Sequence, residues 1–331
     1  MSRSLPLVSA PAVRRPPPQS VRISLTDRCD LACVYCRPSR KDERLAEHLS
    51  WEALAAVIDG LVHAGIRRVR FTGGEPLLSP HAVRAVAHAR DLGLTDIALT
   101  TNGTRLAELA SPLRAAGLRR LTLSLDSLEP ERFARMTRGG NLARVLEGLS
   151  AARAVGFDEL KLNCVVVRGE NDDELPSIAR FAWSHGLVPR FIEVMPIAEG
   201  AKLKDRVVSA TEMRERLGAL LSNDEPVRDA DRGPAKYVRS ADGRRRAGFI
   251  TGTTDTYCEG CDRLRVSAAG VLRPCLASDA GVAVESRSRP ASPDSIAALV
   301  ERAWELKPDG RVFRGCTEPE AAELSMRAIG G

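Results

Sequence analysis

Aromatic side chains are scarce in this chain: three tryptophans, three tyrosines and seven phenylalanines make up 4% of its 331 residues. So few rings argue against a single-strand or RNA binder built on stacked aromatics. Long apolar runs are missing too, since no stretch approaches the ~18 uninterrupted apolar residues of a membrane-spanning helix. The opening MSRSLPLVSAPAVRRPPPQS has no apolar core of signal-peptide length and is broken by prolines and arginines. A soluble, cytoplasmic protein is therefore expected, with no membrane partner. Lysine is rare as well: positions 41, 161, 202, 204, 236 and 307 hold the only six, and the other 43 of the 49 cations are arginine. For surface positions, the simplest reading of that bias is the codon usage of a GC-rich genome.

What is present is ordinary for a globular chain. Hydrophobic residues make up 44% and charged residues 28%, which excludes a wholly disordered or fibrous protein. The length is roughly twice the ~150-residue prior for one domain, although α/β barrels run this long as one unit. The net charge of +6 suits a phosphorylated small molecule as well as a nucleic acid, and charge alone does not choose between them.

Cysteine is where the sequence becomes specific. Cys29, Cys33 and Cys36 form C-x3-C-x2-C, and Cys258, Cys261 and Cys275 form C-x2-C-x13-C. Cys164 lies in the apolar run LKLNCVVV and reads as core, while Cys316 has no partner motif. In a reducing cytoplasm, clustered cysteines bind metal or do chemistry more often than they form disulfides. Structural zinc normally takes four protein ligands, and each group supplies three. Three thiolates suit a [4Fe–4S] cube with one iron left to an exchangeable ligand. A zinc site completed by a distant ligand is the alternative, and it is stronger for the second group because C-x2-C is common in zinc sites.

Along the chain, residues 1–20 form a Pro-rich arm. A strand–helix alternation then sets in, with strands expected at 21–26, 67–72, 96–101, 119–125, 159–167 and 188–195. Helices are expected after Ser50 as N-cap, ending at Gly65, and near 80–92, 105–116, 141–155 and 173–185. Six β/α units with nearly continuous apolar strands imply a parallel sheet, and the length favours a complete or partial barrel. In such folds the working residues gather at strand C-termini. The cysteine loop 29–36, TGGEP (72–76), TTNG (100–103) and SLDS (124–127) follow the first four strands, and Lys161 and Met195 sit on the fifth and sixth. After residue 197 come a helix in TEMRERLGALLS, a charged connector at 222–236, short strands in KYVRS and RAGFI, a loop at 285–295 and a helix at 296–307.

The segment CDLACVYC resembles the signature of the radical S-adenosylmethionine (SAM) superfamily, with Tyr35 before the last cysteine and TGGEP at the second strand end. RISLTDRCDLACVYC, RFTGGEP, TTNG, SLDS, KLNCV, RFIEVMP, the C-x2-C-x-R-L-R-x9-C segment and the terminal IGG are together similar to the GTP 3′,8-cyclase family of molybdenum cofactor biosynthesis, in order over about residues 20–331. The resemblance implies an α/β fold, a partial (β/α)6 TIM-type barrel over 21–197, and a C-terminal region, 198–331, carrying a second cluster and the Gly330–Gly331 tail. It implies that Cys29, Cys33 and Cys36 hold the [4Fe–4S] cluster that binds SAM, contacted by Tyr35, Gly74, Ser124 and Met195. It also implies that Cys258, Cys261 and Cys275 hold a second [4Fe–4S] cluster whose open iron takes the guanine. Arg22, Arg70, Thr100, Lys161 and Arg263–Leu264–Arg265 would position GTP. Arg190, Arg263 and Arg265 would act on developing charge.

By the same resemblance, a 5′-deoxyadenosyl radical takes the 3′ hydrogen of GTP, C3′ bonds to guanine C8, and an electron and a proton complete the cyclised product. That product passes to cyclic pyranopterin monophosphate synthase. A reducing electron donor and a homodimer are further expectations, and no nucleic-acid partner is. The glycine pair of TGGEP is expected to let the SAM amino group approach the backbone. Lys161, in an otherwise apolar strand, is expected to meet an anionic ligand, because an unpaired buried ammonium is costly. Two positions depart from the family pattern: Asp262 stands where Asn is common, an added negative charge beside the second cluster, and Arg37 stands where Met or Leu is more usual. A peptide-modifying radical SAM enzyme would show a substrate-binding extension and more C-terminal cysteines. A cluster-bearing nucleic-acid binder would leave TGGEP unexplained.

Overall fold

The strand segments alternate in strict period two. In SVRIS, RVRFT, RLTLS and ELKLN every second residue is apolar, and the residues between are arginine, lysine, glutamate, serine, threonine or asparagine. A strand sends successive side chains to opposite faces, so a sheet of such strands has one face for helices and one polar face. The computed structural model describes residues 16–39, 41, 47–228, 233–255, 258 and 260–308, and it has this form. The apolar set, including Val21, Ile23, Val69, Phe71, Leu121, Leu123 and Leu162, is buried in one continuous core with the helices. The nearly continuous apolar strands expected above are thus corrected to alternating ones.

In chain order the elements are β1 (Ser20–Ser24), α1 (Trp51–His63), β2 (Arg68–Thr72), α2 (Ala82–Asp91), β3 (Asp96–Thr101), α3 (Leu106–Ala115), β4 (Arg120–Ser124), α4 (Pro130–Met136), α5 (Leu142–Val155), β5 (Glu159–Val166), α6 (Leu175–Ser184), β6 (Val188–Glu193) and α7 (Ala210–Leu217). There follow β7 (Val227–Arg228), β8 (Lys236–Arg239), β9 (Arg246–Ile250), β10 (Arg263–Val266), β11 (Val271–Arg273), β12 (Val282–Ala283) and α8 (Pro293–Glu305). Local chemistry sets several boundaries. Ser50 caps α1 by accepting from the Ala53 N–H, and Gly65 turns the chain out of it at φ +91. Ser209 and Glu212 form a reciprocal capping box on α7.

All twelve strands join one sheet in the order β12-β11-β10-β1-β2-β3-β4-β5-β6-β9-β8-β7. Pairings among β1 to β6 are parallel, and β10 adds in parallel beside β1 while β9 adds in parallel beside β6. The six β/α units are therefore a partial barrel, as expected, extended at both edges by strands from beyond residue 197. The short helix α4 was not anticipated, and Met195 lies two residues past β6 rather than on it. Strand β7 falls inside the stretch read as a charged connector, and α8 starts within the stretch read as a loop. Most of the N-terminal arm, Cys316 and Gly330–Gly331 lie outside the described residues.

Candidate active site

The polar face encloses one cavity, to which β1 to β6, β8, β9 and β10 and the loops after β1 to β4 and β6 all contribute. Register puts its charged side chains in rows. Arg22 stands opposite Arg265 on one side and Arg70 on the other, and Thr122 stands between Thr100 and Lys161. Arg70 donates from Nη1 to Thr100 Oγ1 and Thr122 Oγ1, both at 3.3 Å. Arg190 donates to Asn163 Oδ1 at 2.8 Å and to the same Thr122 Oγ1 at 3.2 Å, and it also bonds the Tyr237 hydroxyl. Among the described residues neither guanidinium is ion-paired to a carboxylate. Burial pushes Arg70 down to about 9, with Arg190 and Arg120 adding repulsion. These are cations held ready for an anion that the described residues do not supply.

Lys161 is different. It is buried as expected, but Glu159 pairs with it at 2.8 Å, so its charge does not by itself demand a ligand. Deeper in the sheet, Arg120 reaches Asp96 at 2.5 Å, and Arg68 pairs with Asp262. Asp262 therefore spends its charge on Arg68, across the β10–β1–β2 seam, and the expected added charge beside the second triad is corrected to this pair. Leu264 is also corrected as a side-chain contact. It alternates with Arg263 and Arg265, which line the cavity, and is itself fully buried in the core.

The first triad lies at the mouth, in the loop after β1, and all three cysteines line the cavity. The loop is tied down on every side. Asp30 accepts from Asn102 Nδ2 and from Thr104 Oγ1, each at 2.7 Å. Arg37 donates to the carbonyls of Cys29 and Leu31, both at 3.1 Å. The Ala32 and Val34 amides bond the end of α4, through Thr137 O and Met136 O. Tyr35 donates to Asp126 Oδ2 at 2.6 Å, and the Val165 amide donates to Oδ1 at 2.8 Å. Glu75 binds the third strand end, accepting from Thr101 Oγ1 and the Asn102 amide, both at 2.7 Å. Burial raises Glu75 to about 7 and Asp126 to about 6. It also raises Cys29 to about 12, with Glu75 adding, and Cys33 well above the ordinary thiol range, with Asp126 adding.

The glycine pair has a physical reason beside the one expected. A Cβ on Gly74 would lie 2.4 Å from the Arg28 carbonyl oxygen and 2.6 Å from that of Asp27, and one on Gly73 would lie 2.5 Å from that of Thr26. The GGE strand end needs glycine because it packs, backbone on backbone, against the residues leading into Cys29.

The cysteines of the second triad do not themselves line the cavity, but their chain neighbours do: Asp262 and Arg263, which follow Cys261, and Leu276, next to Cys275. Cys258 packs on Ile197 and Leu276 together with Met195, which joins this triad to the mouth of the first. Burial raises Cys261, but Arg263 and Lys307 outweigh it and bring the thiol to about 7.

The donor set of both triads is soft sulfur, the choice for iron–sulfur clusters among other thiophilic centres. The Leu31 amide reaches Cys29 Sγ and the Ala277 amide reaches Cys275 Sγ, both at 3.4 Å, contacts of the kind that tune a cluster. His48, the histidine nearest the first triad in sequence, is held by Asp27 at 2.7 Å. Thr72 Oγ1, buried at the head of TGGEP, finds no hydrogen-bond partner within the described protein. The residues fit a thiol-bound cluster with a further polar ligand beside it. Thus Cys29, Cys33, Cys36, Tyr35, Gly74, Ser124, Met195, Arg22, Arg70, Thr100, Lys161, Arg190, Arg263 and Arg265 come together around one cavity. Glu75, Asn102 and Asp126 were legible within the quoted motifs but were not singled out. Asn163, inside KLNCV, was likewise not singled out, and Thr122 and Tyr237 carried no signal before strand pairing was known.

A triad of thiols in the loop after the first strand of a partial barrel, facing a polar strand-end cavity, defines a radical SAM protein. The Radical SAM superfamily profile matches residues 23–182, and the Molybdenum Cofactor Synthesis C profile matches residues 188–313. The fold is similar to Streptococcus suis SuiB bound to S-adenosylmethionine, with a TM-score of 0.61 at 14% identity over 90% of this chain and 67% of that one. The GTP 3′,8-cyclase of Pelotomaculum thermopropionicum is 41% identical over 87% of this chain and 91% of the relative. That of Moorella thermoacetica is 40% identical over 94% and 97%, and GTP 3′,8-cyclase 2 of Pseudomonas aeruginosa is 38% identical over 88% and 90%. The chain belongs to the GTP 3′,8-cyclase family.

Proposed function

We propose that this chain cyclises GTP to (8S)-3′,8-cyclo-7,8-dihydroguanosine 5′-triphosphate, the first step of molybdenum cofactor biosynthesis, using SAM and two [4Fe–4S] clusters. The observation that carries the reading is the polarity of the one cavity. Three thiols, Glu75 and Asp126 stand at its mouth, while Arg70 and Arg190, bonded among the described residues to hydroxyl and amide oxygens, stand on its floor. A polyanion belongs on that floor, and a cationic cofactor at that mouth.

When bound, the cluster at Cys29, Cys33 and Cys36 supplies, with SAM, the radical that removes the 3′ hydrogen of GTP. Everything else falls to the chain. Arg22, Arg70, Lys161, Arg190, Arg263 and Arg265 bind and orient the triphosphate through charge-assisted forks and a point charge, and Thr100 holds Arg70 in place for it. Arg190, Arg263 and Arg265 also face charge as it develops. Tyr35, Gly74, Ser124 and Met195 shape the SAM side. Tyr35 does so as a strut to Asp126, and Gly74 by letting the loop close. Cys258, Cys261 and Cys275 would hold the second cluster, whose open iron would take the guanine. The walls of β1 to β6 exclude water from the reacting centre. The proposal includes a barrel over 21–197, a cluster-bearing region over 198–331, a reducing electron donor, a homodimer and transfer of the product to cyclic pyranopterin monophosphate synthase.

The test is anaerobic turnover of reconstituted protein with dithionite, SAM and GTP. Products are separated by chromatography before mass spectrometry, because cyclisation leaves the mass of GTP unchanged. A GTP-dependent product absent in Cys29→Ala and Cys258→Ala is expected. Deoxyadenosine release with GTP intact would move the substrate elsewhere.

A further inference from the structure

Lys307 is one of six lysines in a chain that otherwise uses arginine, and it sits two residues past α8, where the helix packs against α1 and β11. Its Nζ donates to the carbonyl of Arg263 and to that of Pro274, each at 2.8 Å. Arg263 lies two residues after Cys261, and Pro274 directly precedes Cys275. The ammonium also bonds the Cys261 thiol. An ammonium has three N–H donors, and here three acceptors are set around one. The Trp304 ring lies 4.5 Å beneath the charge, and Trp304 is itself anchored by donating from Nε1 to the Pro16 carbonyl at 3.1 Å. A guanidinium is a planar fork and does not reproduce that convergence.

We propose that Lys307 is a positioning residue for the second cluster: it clamps the two chain segments that carry Cys261 and Cys275, and fixes a positive charge beside the sulfur. The proposal rests on the two-cluster reading. Removing the charge destabilises the reduced, more negative cluster, so its reduction potential falls. Removing the clamp lets the segments part, so iron is lost faster.

The experiment uses the full chain carrying Cys29→Ala, so that any cluster bound is the second one. Iron and sulfide content, the EPR signal of the reduced cluster, its midpoint potential and the rate of iron loss to a chelator are compared with and without Lys307→Met and Lys307→Arg. Lys307→Met is expected to lower the midpoint and to speed iron loss at least threefold. Lys307→Arg keeps the midpoint close to that of the parent but still loses iron faster. In a Cys258→Ala chain, Lys307→Met leaves the first cluster's EPR signal and content unchanged. An unchanged midpoint and unchanged iron loss in Lys307→Met overturn the proposal, as does equal damage to the first cluster. A Cys29→Ala chain that binds no iron overturns the two-cluster reading instead.

Discussion

Arg70 is the residue at which binding and stability are most clearly opposed. Its guanidinium is held at about 9 against an ordinary value of 12.5, chiefly by burial. At 1.36 kcal/mol per pH unit, about 5 kcal/mol stands against the charged form in the folded chain at pH 7. The two hydroxyls that accept from it return about 1 kcal/mol each. Arg70→Met keeps the aliphatic stem and removes the charge, so the ligand-free chain should gain about 1–3 kcal/mol in urea unfolding at pH 7. The gain should shrink above pH 9, where the native chain begins to release that proton while the unfolded chain keeps it. GTP affinity should move the other way. Loss of one charge-assisted contact, about 1.5–3 kcal/mol, weakens binding roughly 10- to 150-fold, which calorimetry with GTP and the reconstituted protein will read. A variant less stable than its parent, or a GTP dissociation constant within threefold of it, would refute the argument that this cation is held strained for the substrate.

Gly74→Ala should abolish cluster loading at the first triad, since the new methyl meets two carbonyl oxygens of the chain leading into Cys29; normal iron content after reconstitution would contradict this. Asp262→Ala leaves Arg68 without its buried partner and should cost about 2–4 kcal/mol of stability, whereas Asp262→Asn, which still offers an amide oxygen, should cost less in the same urea titration. Glu75, raised to about 7, holds a proton in the folded chain that the unfolded chain releases near 4.5, so stability should fall as pH rises between those values. Glu75→Gln should remove that part of the slope in the cluster-free chain, and an unaltered slope would show that Glu75 does not titrate there.

Much of this was legible in the sequence because barrel chemistry sits at strand ends, and each of the first four strand ends carries a motif. The six parallel strands and their order follow from apolar segments spaced by helical ones, and every strand ends within two residues of its expected limits. What escaped shares a physical cause. β10 to β12 are two to four residues long, and β10 pairs with β1 across most of the chain, a contact that no local pattern encodes. Seven-residue α4, opened by Pro130, is too short to show a helical period. Lys161 was read as needing a ligand because its strand looked apolar, yet Glu159, two residues earlier on the same face, already meets it. The pairing of Asp262 with Arg68 needed the register of the seam, and so did the place of Tyr237.

The two seams at which β10 joins β1 and β9 joins β6 also bear on how the molecule is made. Ser20 waits for Arg263, about 240 residues later, and such distant pairings form late because the loop between them must first be closed. The first thiol triad leaves the ribosome with its barrel strands, while its neighbour across the cavity arrives only with the last third of the chain. Until then the β1 edge, with Arg22 along it, is an open strand edge without a neighbour. Assembly of this edge and arrival of the second triad are one event, so a nascent chain presents its first three thiols before the pocket they face is complete.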